Sequence, residues 1–347
     1  KILGDFVFAI WDEREQKLFC ARDSMGVKHF YYYYKPNVLF AIASEIKALL
    51  CLTDIPKKLN ETNIGDILIL NHQNKEDTPY KGIKRLPANN ALSVNEGGLK
   101  IWQYWRPASK SKNRFRSSSD YEEQFRAIFA EAVACRLRSV YPTGSLLSGG
   151  LDSSSISCVA SSYLEKTGKP PLETISAIFP SIARIDPRID ERRYINSIVQ
   201  HIECNPNFVE ADTFSPFEDM DKLHWHADHP VAAPNVFMDW ALFKAAKQRN
   251  VRVLLSGFDG DSTVSYGYEA FSSLARQGRW WNLIRDAAAL NKNMPGKHHS
   301  FKKLVWNQGF AEATPEFVRQ IWRVAHGRPR ELKKKPTLPS SVNYHFE

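Results

Sequence analysis

Short apolar and aromatic runs alternate with polar segments through the first hundred or so residues. The runs are rich in β-branched and aromatic residues, and the segments between them are polar or contain glycine, so they predict strands joined as hairpins. Gly65–Leu70 fits either a helix or a buried segment, and Ile101–Pro107 ends this β-rich region. The predicted strands are Phe6–Asp12, Lys17–Asp23, His29–Tyr34 and Val38–Ser44.

A polar stretch without apolar periodicity, Ala108–Asp120, follows this region and predicts a linker. The sequence then takes on the period of an amphipathic helix, about 3.6 residues. Asp120 and Glu123 have the spacing of a capping box at its start. The apolar side chains expected on its inner face are Phe125, Ile128, Phe129, Ala132, Val133 and Leu137.

Strand-like and helix-like segments alternate from there to Ser256. This alternation predicts an α/β fold with a doubly wound parallel sheet, which binds ligands in a crevice at the carboxyl ends of its strands. The predicted strands are Gly144–Ser148, Thr174–Pro180, Asn207–Ala211 and Val251–Ser256. The predicted helices are Asp152–Lys166, Asp190–Ile202 and Phe237–Asn250.

The segment Leu146–Ser157 concentrates glycine and serine around one aspartate where the first of these strands meets its helix. Gly149 and Gly150 allow consecutive backbone N–H groups to turn toward one ligand, and the free N–H groups and dipole of the helix favour an anion. A carboxylate at Asp152 fits an anion-binding turn only with a cation between, and Mg²⁺ bridging carboxylate and phosphate oxygens supplies one. A serine-capped helix after a glycine turn is the purely structural alternative.

The overall composition narrows the protein class. With 347 residues, 43% hydrophobic and 24% charged, the chain is typical of a soluble two-domain protein. No apolar run of about 18 residues and no secretory signal occur, so we expect a cytoplasmic protein without membrane spans. Five scattered cysteines indicate reduced thiols. The net charge of +9 fits either a solvated surface or attraction to a polyanion such as ATP, an acidic peptide or RNA.

Several segments resemble one enzyme family. Ser148–Ser153 (S-G-G-L-D-S) resembles the pyrophosphate loop of the ATP pyrophosphatases, which cleave ATP between its α and β phosphates. Ser256–Tyr268 resembles the motif S-G-E-G-x-D-E-x-x-x-G-Y of the asparagine synthetases within that superfamily, and Asp228–Asn235 resembles their D-x-P segment. Gly4–Tyr32 and Phe40–Leu50 resemble the second half of the class II glutaminase domain of the same family.

This resemblance implies a division of the chain. Residues 1–107 would form part of a class II glutamine amidotransferase domain, an α+β unit built on a β-sandwich of the N-terminal-nucleophile type. Residues 108–120 would be a linker, and residues 121–347 an asparagine synthetase domain with the ATP pyrophosphatase type of parallel sheet. The family's N-terminal cysteine nucleophile and its phosphate-contacting lysine have no counterpart in the sequence. We therefore expect the chain to begin within the first domain and to end within the second.

The resemblance also implies ATP and Mg²⁺ as cofactors and assigns residues to them. Asp261 would be the second magnesium-binding carboxylate, opposite Asp152, and these two would be the catalytic pair and the metal ligands. Adenine would rest on the backbone near Leu146 and Ile178, at the ends of the first two strands of the second domain. The full set of expected ATP-binding residues is Leu146, Ser148, Gly149, Gly150, Asp152, Ser153, Ser154, Ile178 and Gly257.

The activity that the resemblance implies is ATP-dependent amide formation, in which a carboxylate is adenylated, pyrophosphate leaves and an amine displaces AMP. Phe258 and Ser262 stand where the family motif has glutamates, and an apolar ring cannot accept a proton from the amine. In this respect the chain is most similar to the divergent lasso-peptide cyclases, which join a side-chain carboxylate of a precursor peptide to its N-terminal amine.

Other functions stay open at this point. Conversion of aspartate to asparagine is the alternative within the family, and a tRNA-modifying ATP pyrophosphatase or a non-catalytic interaction protein is the alternative outside that activity. We expect a small-molecule or peptide carboxylate as substrate. A precursor peptide and its protease are the partners that the cyclase alternative implies, and neither a membrane nor a nucleic acid is expected as a partner.

Overall fold

A computed structural model describes residues 2–71, 74–106, 115, 117–231, 233, 235–260, 269–293, 300–311 and 314. The chain forms two compact units that each combine separate stretches of sequence. Unit 1 comprises Lys1–Pro142, Ile175–Glu191 and Pro206–Arg252. Unit 2 comprises Thr143–Thr174, Arg192–Asn205 and Val253–Glu347.

Two antiparallel sheets form the amino-terminal part of unit 1. Their strands are β1 (Val7–Asp12), β2 (Lys17–Arg22), β3 (Tyr31–Lys35), β4 (Leu39–Ala43), β5 (Ile83–Arg85), β6 (Asn90–Asn95) and β7 (Gly98–Gln103). One sheet has the order β1–β2–β6–β7 and the other β4–β3–β5. The four strands predicted by the alternating pattern are confirmed. Helix α1 (Ile46–Leu49) follows β4, and α2 (Glu61–Leu68) confirms the helical alternative for the first four residues of Gly65–Leu70.

The aromatic run of β3 contributes to two buried clusters at once. Tyr31 and Tyr33 belong to one cluster, whereas Tyr32 packs in the other with Cys20. This division follows from the strand geometry, because successive side chains point to opposite faces of a sheet. Burial raises the pKa of the Cys20 thiol to about 11. Cys20 is therefore an unreactive core residue, as a mid-strand thiol is expected to be.

A third sheet contains the strands β8 (Thr143–Leu146), β9 (Leu172–Ile178), β10 (Cys204–Glu210) and β11 (Val253–Leu255). Their order in the sheet is β10–β9–β8–β11. Strands β8 and β11 run parallel, with Val253 opposite Thr143 and Leu255 opposite Ser145. The four strands fall within the predicted α/β alternation. The structure thus confirms a mixed α/β protein with amino-terminal sheets and a parallel sheet after them.

Helices connect these strands in the described part of the chain. They are α3 (Ser118–Arg136), α4 (Leu151–Lys166), α5 (Pro180–Ala183), α6 (Arg192–Val199), α7 (Met220–Ala227), α8 (Val236–Gln248), α9 (Glu269–Arg276), α10 (Trp280–Asn293), α11 (Phe301–Lys303) and a π-helical segment, Leu304–Ala311. In unit 2, Phe271, Leu283 and Leu304 pack into a buried cluster. Within the described ranges, no helix is both long enough and apolar enough to cross a membrane.

The structure of α3 differs from the prediction in its capping box and in which of its apolar residues are buried. Its capping box is formed by Ser117 and Asp120, whose side chains each accept the backbone N–H of the other, and not by Asp120 and Glu123. Of the apolar residues expected to face inward, Val133 and Leu137 are buried, whereas Phe125 and Ile128 are more than half exposed. The apolar period is helical as predicted, but only the carboxyl-terminal half of that face is covered.

Candidate functional site

The turn between β8 and α4 is shaped by a glycine that no other residue could replace without strain. Gly149 has a φ of +81°, in the region that side chains disfavour. A Cβ atom at Gly149 would lie 2.7 Å from the Cβ of Tyr194 and 3.1 Å from the backbone nitrogen of Ile195. The first turn of α6 therefore packs directly against this loop, and the backbone can follow its path only without a side chain.

Two serine hydroxyls hold the loop from within. The hydroxyl of Ser153 accepts the backbone N–H of Ser148 at 3.2 Å and lies 3.0 Å from the hydroxyl of Ser148. The same Ser153 hydroxyl donates to the carbonyl of Gly150 at 3.2 Å. These bonds fix the loop as it enters α4. The N–H groups at the start of the helix have no acceptor within the helix, because an α-helix leaves its first donors unpaired.

The next serine along the helix is different. The Ser154 hydroxyl oxygen is buried, and it has no hydrogen-bond partner among the described residues. A buried hydroxyl without a partner costs free energy unless a ligand or water satisfies it. The Ser154 hydroxyl is thus available to a group outside the described residues, such as a ligand or water.

Further along the same helix, a row of serines attaches α4 to the sheet. Ser153, Ser157 and Ser161 are spaced four residues apart and all are buried. The Ser157 hydroxyl donates to the hydroxyl of Ser145 on β8, 3.0 Å away, and Ser161 donates to the carbonyl of Glu203 at 2.8 Å. The inner face of α4 is therefore shared by these small serines and by two apolar residues, Ala160 and Leu164, which are also buried. Ile156 and Val159 are only half-buried.

The segment after β11 closes over the start of α4. Gly257 and Gly260 belong to one turn, in which the Gly260 N–H donates to the Gly257 carbonyl at 3.1 Å. A Cβ atom at Gly260 would lie 2.6 and 2.7 Å from the two carboxylate oxygens of Asp152, and one at Gly257 would lie 2.7 Å from the nitrogen of Ser153. Because β8 and β11 are parallel neighbours, the loops after them meet at the same edge of the sheet.

The structure brings together most of the predicted site residues in unit 2. Leu146 is the last residue of β8, and Ser148–Ser154 and Gly257 form the loop and the turn over it. Ile178 is the last residue of β9 and belongs to unit 1, so its part in adenine binding stays a prediction. Phe258 is 86% exposed at the tip of the turn, and its N–H donates to the Ser256 hydroxyl at 3.1 Å. Asp261 lies outside the described residues, so its role as a metal ligand stays a prediction.

Sequence reasoning missed two contributors to this site. Gly260 approaches Asp152 more closely than the predicted Gly257 does, and Tyr194 at the start of α6 supports Gly149. The first could have been found from the spacing of the two glycines in S-G-F-D-G. The contact between Tyr194 and Gly149 joins segments far apart in the sequence, and no local sequence pattern predicts it.

The donor set fits a metal bound together with a phosphate. No cluster of three or more His, Cys, Asp or Glu side chains occurs among the residues that the structure describes, so these residues alone do not build a closed metal cage. Mg²⁺ needs no such cage, since it commonly takes one or two carboxylates and completes its shell with water and phosphate oxygens. Asp152 offers a carboxylate beside free helix N–H donors and the Ser154 hydroxyl, and this combination suits Mg²⁺ and phosphate.

Two protein-family models match the chain. The asparagine synthase model matches residues 124–338, and the glutamine amidotransferase domain model matches residues 1–105. The first match covers more than half of the chain and contains the whole site described above. The chain belongs to the asparagine synthase family.

Of three similar proteins, two are named asparagine synthetases and one is named an amidase. Asparagine synthetase [glutamine-hydrolyzing] 3 of Bacillus subtilis is 41% identical over 174 residues, which are 50% of this chain and 28% of the relative. A putative asparagine synthetase 2 of Methanocaldococcus jannaschii is 30% identical over 76% of this chain and 50% of its own length. Amidase chry2 of Gibberella zeae is 25% identical over 80% of this chain and 42% of its own length. The chain spans half or less of the length of each of these relatives.

Proposed function

We propose that this protein is an ATP-dependent ligase that forms amide bonds by adenylating a carboxylate. The observation that carries the proposal is the position of Asp152 at the first turn of α4, beneath the Gly257–Gly260 turn and next to the unpartnered hydroxyl of Ser154. Membership of the asparagine synthase family supports the same activity, since members of this family use ATP.

In the proposed reaction, the loop Ser148–Ser154 binds the β and γ phosphates of ATP. An oxygen of the acceptor carboxylate attacks the α phosphorus, the bond to the β-phosphate oxygen breaks, and pyrophosphate leaves. An amine then attacks the acyl carbon of the acyl adenylate and AMP leaves with the bonding electron pair, while the amine nitrogen loses a proton. The N–H donors and the hydroxyl of the loop stabilise the negative charge that develops on pyrophosphate.

Asp152 is the described residue that would hold Mg²⁺, and we propose Asp261 as the second ligand. When bound, Mg²⁺ would supply charge neutralisation for the departing pyrophosphate. The chain's own contribution is to keep the Asp152 carboxylate in place. The carboxylate occupies the space where a side chain at residue 260 would lie, since a Cβ atom at Gly260 would be 2.6 and 2.7 Å from its two oxygens.

For the acceptor, we favour a peptide carboxylate and a peptide amine over aspartate and ammonia. Phe258 supports this choice, because it places an exposed aromatic ring in the turn over Asp152 where the family motif has a carboxylate. A ring offers apolar contact to a peptide but no base for ammonia. A precursor peptide and its protease would then be the partners, and a cytoplasmic location stays a prediction.

We also propose the finer description of the fold and its domains. Residues 1–107 would be part of a glutamine amidotransferase domain of the N-terminal-nucleophile type, 108–120 a linker whose last three residues already begin α3, and 121–347 a doubly wound ATP pyrophosphatase domain. The ranges of the two family matches, 1–105 and 124–338, support this division.

Exchange of radiolabelled pyrophosphate into ATP tests the proposal. The intact protein is incubated with Mg-ATP and labelled pyrophosphate, with aspartate, glutamate, acidic peptides or no carboxylate added. We expect exchange that depends on a carboxylate and is greatest with an acidic peptide. Exchange with aspartate alone would favour asparagine formation, and exchange that requires tRNA would favour the tRNA-modifying alternative. No exchange at millimolar Mg-ATP with any of these acceptors would refute the ligase proposal.

A further inference from the structure

A groove in unit 1 lies between strand β10 and helix α8. One wall is formed by five consecutive residues of the strand, Pro206–Glu210, and the other by one face of the helix from Ala241 to Arg249. The cavity measures about 650 Å³, within the range of known ligand sites. Successive side chains of a strand point to opposite faces, so a cavity that all five residues line reaches the edge of β10.

The two walls match in length. Four residue steps of a strand span roughly 13 Å at about 3.3 Å each, and the eight steps from Ala241 to Arg249 span roughly 12 Å at about 1.5 Å each. A strand edge facing a helix across a groove of this length is a geometry that accepts a short extended peptide as an added strand.

β10 is the outermost strand of its sheet among the described strands, so its outer edge is available. Pro206 indicates which backbone groups face outward. Proline has no N–H, so within a sheet its nitrogen must point away from the neighbouring strand. By the two-residue period of the strand, the N–H and carbonyl of Phe208 and the N–H of Glu210 then also point outward. These groups are the ones that an added strand would bind.

The charges along the groove differ between its ends. The ammonium of Lys244 lies 3.1 Å from a carboxylate oxygen of Asp219 and above the ring of Phe214, which follows β10. Lys244 shares the Asp219 carboxylate with Lys222, whose ammonium lies 2.7 Å from it, and it marks the carboxyl-terminal end of β10, where the acidic Glu210 also lines the groove. Arg249 lies five residues further along α8, about 7.5 Å toward the Pro206 end. Its guanidinium makes no ion pair with any residue that the structure describes, so this end carries a free positive charge.

We propose that this groove binds an extended peptide with an acidic side chain, which adds to the edge of β10 and places its carboxylate against Arg249. The charge complementarity at Arg249 selects an acidic peptide over a basic one. The inference goes beyond the proposed function, because docking on β10 requires neither ATP nor Asp152.

Fluorescence anisotropy with the intact protein, without nucleotide, tests the proposal. The probes are two fluorescein-labelled hexapeptide pools of Val, Ile, Thr and Phe, one with a fixed central Asp and one with a fixed central Lys, and an Asp pool with N-methylated backbone amides. We expect the Asp pool to bind about tenfold more tightly than the Lys pool and than the N-methylated pool. Arg249→Glu should weaken binding of the Asp pool about tenfold and reverse the preference.

Lys247→Glu is the matched control, because Lys247 is an exposed cation on the same helix that does not line the groove. It should change binding by less than about twofold. Equal losses for Arg249→Glu and Lys247→Glu, equal binding of methylated peptides, or no binding at about 1 mM protein would each overturn the proposal. A groove filled by a second copy of the chain, seen as dimerisation that peptide does not reverse, would also overturn it. Asp152→Asn should leave peptide binding unchanged, so this test and the ligase test can fail separately.

Discussion

Two glycine-containing turns of this chain follow a strand and present similar polar groups, yet they leave those groups in different states. In the turn after β2, the Asp23 carboxylate is 1% exposed and accepts the backbone N–H groups of Met25, Val27 and Lys28 at 3.0–3.1 Å. In the turn after β8, the Asp152 carboxylate is partly exposed, and the neighbouring Ser154 hydroxyl has no partner among the described residues.

The polar groups of the turn after β2 are hydrogen-bonded within the protein, whereas the turn after β8 leaves the Ser154 hydroxyl available to a ligand. Arg22 completes the closed turn by donating to the carbonyls of Lys28 and Leu86, both at 2.6 Å. Every polar group named there has a partner within the protein, so the turn contributes stability and has nothing left for a ligand. A polar cluster in a turn therefore indicates a binding site only when the fold leaves some of its donors and carboxylates unpaired.

Asp152→Asn tests the turn after β8, where we expect the largest effect. Removing the charge should lower the rate of carboxylate-dependent pyrophosphate exchange about 10²–10³-fold, because the variant loses an electrostatic contact made in the reaction, and leave the unfolding free energy nearly unchanged. Glu165→Gln is the control, since Glu165 is exposed on the same helix, about 20 Å further along. Comparable losses in both variants would show that the charge of α4, and not the position of Asp152, matters.

Gly260→Ala tests whether the turn after β11 positions that carboxylate. The added Cβ would lie 2.6–2.7 Å from both oxygens of Asp152, so the carboxylate or the turn must move. We expect the exchange rate to fall about 10²-fold, the scale of a misplaced catalytic group, in a protein that is still folded at the assay temperature. Gly97→Ala, in the turn between β6 and β7, is the control for a glycine replacement. Full activity in Gly260→Ala would mean that Asp152 does not need this contact.

The sequence predicts the site's groups better than it predicts their contacts. The loop Ser148–Ser153 is visible because glycine and serine are unusual at the end of a buried strand. The approach of Gly260 to Asp152 depends on β8 and β11 being neighbours, which the parallel alternation makes reasonable but does not specify. The family resemblance identified Gly257 and not Gly260, because a motif compares residue types along the sequence and contains no distances.

Elements were predicted well where their pattern is local. β2, α4 and α8 lie within two residues of their expected bounds, because strand and helix periods depend on short-range geometry. Burial was harder. Phe125 of α3 is exposed although its spacing predicts an inner face, and Ser157 of α4 is fully buried although it is polar. Which face of a helix is covered depends on what packs there, and the helical period does not contain that information.

Asp23→Asn tests the closed turn and should act on stability. Burial raises the pKa of Asp23, but its backbone hydrogen bonds lower it more, so the carboxyl titrates below its ordinary value of 3.8. A lowered pKa means that the charged form stabilises the fold above pH 4 and that this contribution is lost as the pH falls through the folded-state pKa. We expect a loss of about 2 kcal/mol at pH 7, the scale of hydrogen bonds to a charged group, and a smaller loss below pH 4.

Urea unfolding of Asp23→Asn at several pH values measures this effect. Asp54→Asn is the control, because Asp54 is exposed and has no hydrogen bond to a described residue. A loss of stability in Asp23→Asn that stays constant from pH 7 to below pH 4 would contradict the role of the charge and point to packing alone. A change in pyrophosphate exchange without a change in stability would break the comparison, since it would make this turn a functional one.

Ser154→Ala against Ser157→Ala is the finest test of the comparison, because both serines lie on α4 only three positions apart. The Ser154 hydroxyl has no described partner, so its loss should cost less than about 0.5 kcal/mol and raise the KM for ATP roughly three- to tenfold. The Ser157 hydroxyl bonds to Ser145, so its loss should cost about 1 kcal/mol of unfolding free energy with little change in KM. If the two variants behaved alike, the unpaired hydroxyl would have no special part in binding, and the loop after β8 would be as self-contained as the turn after β2.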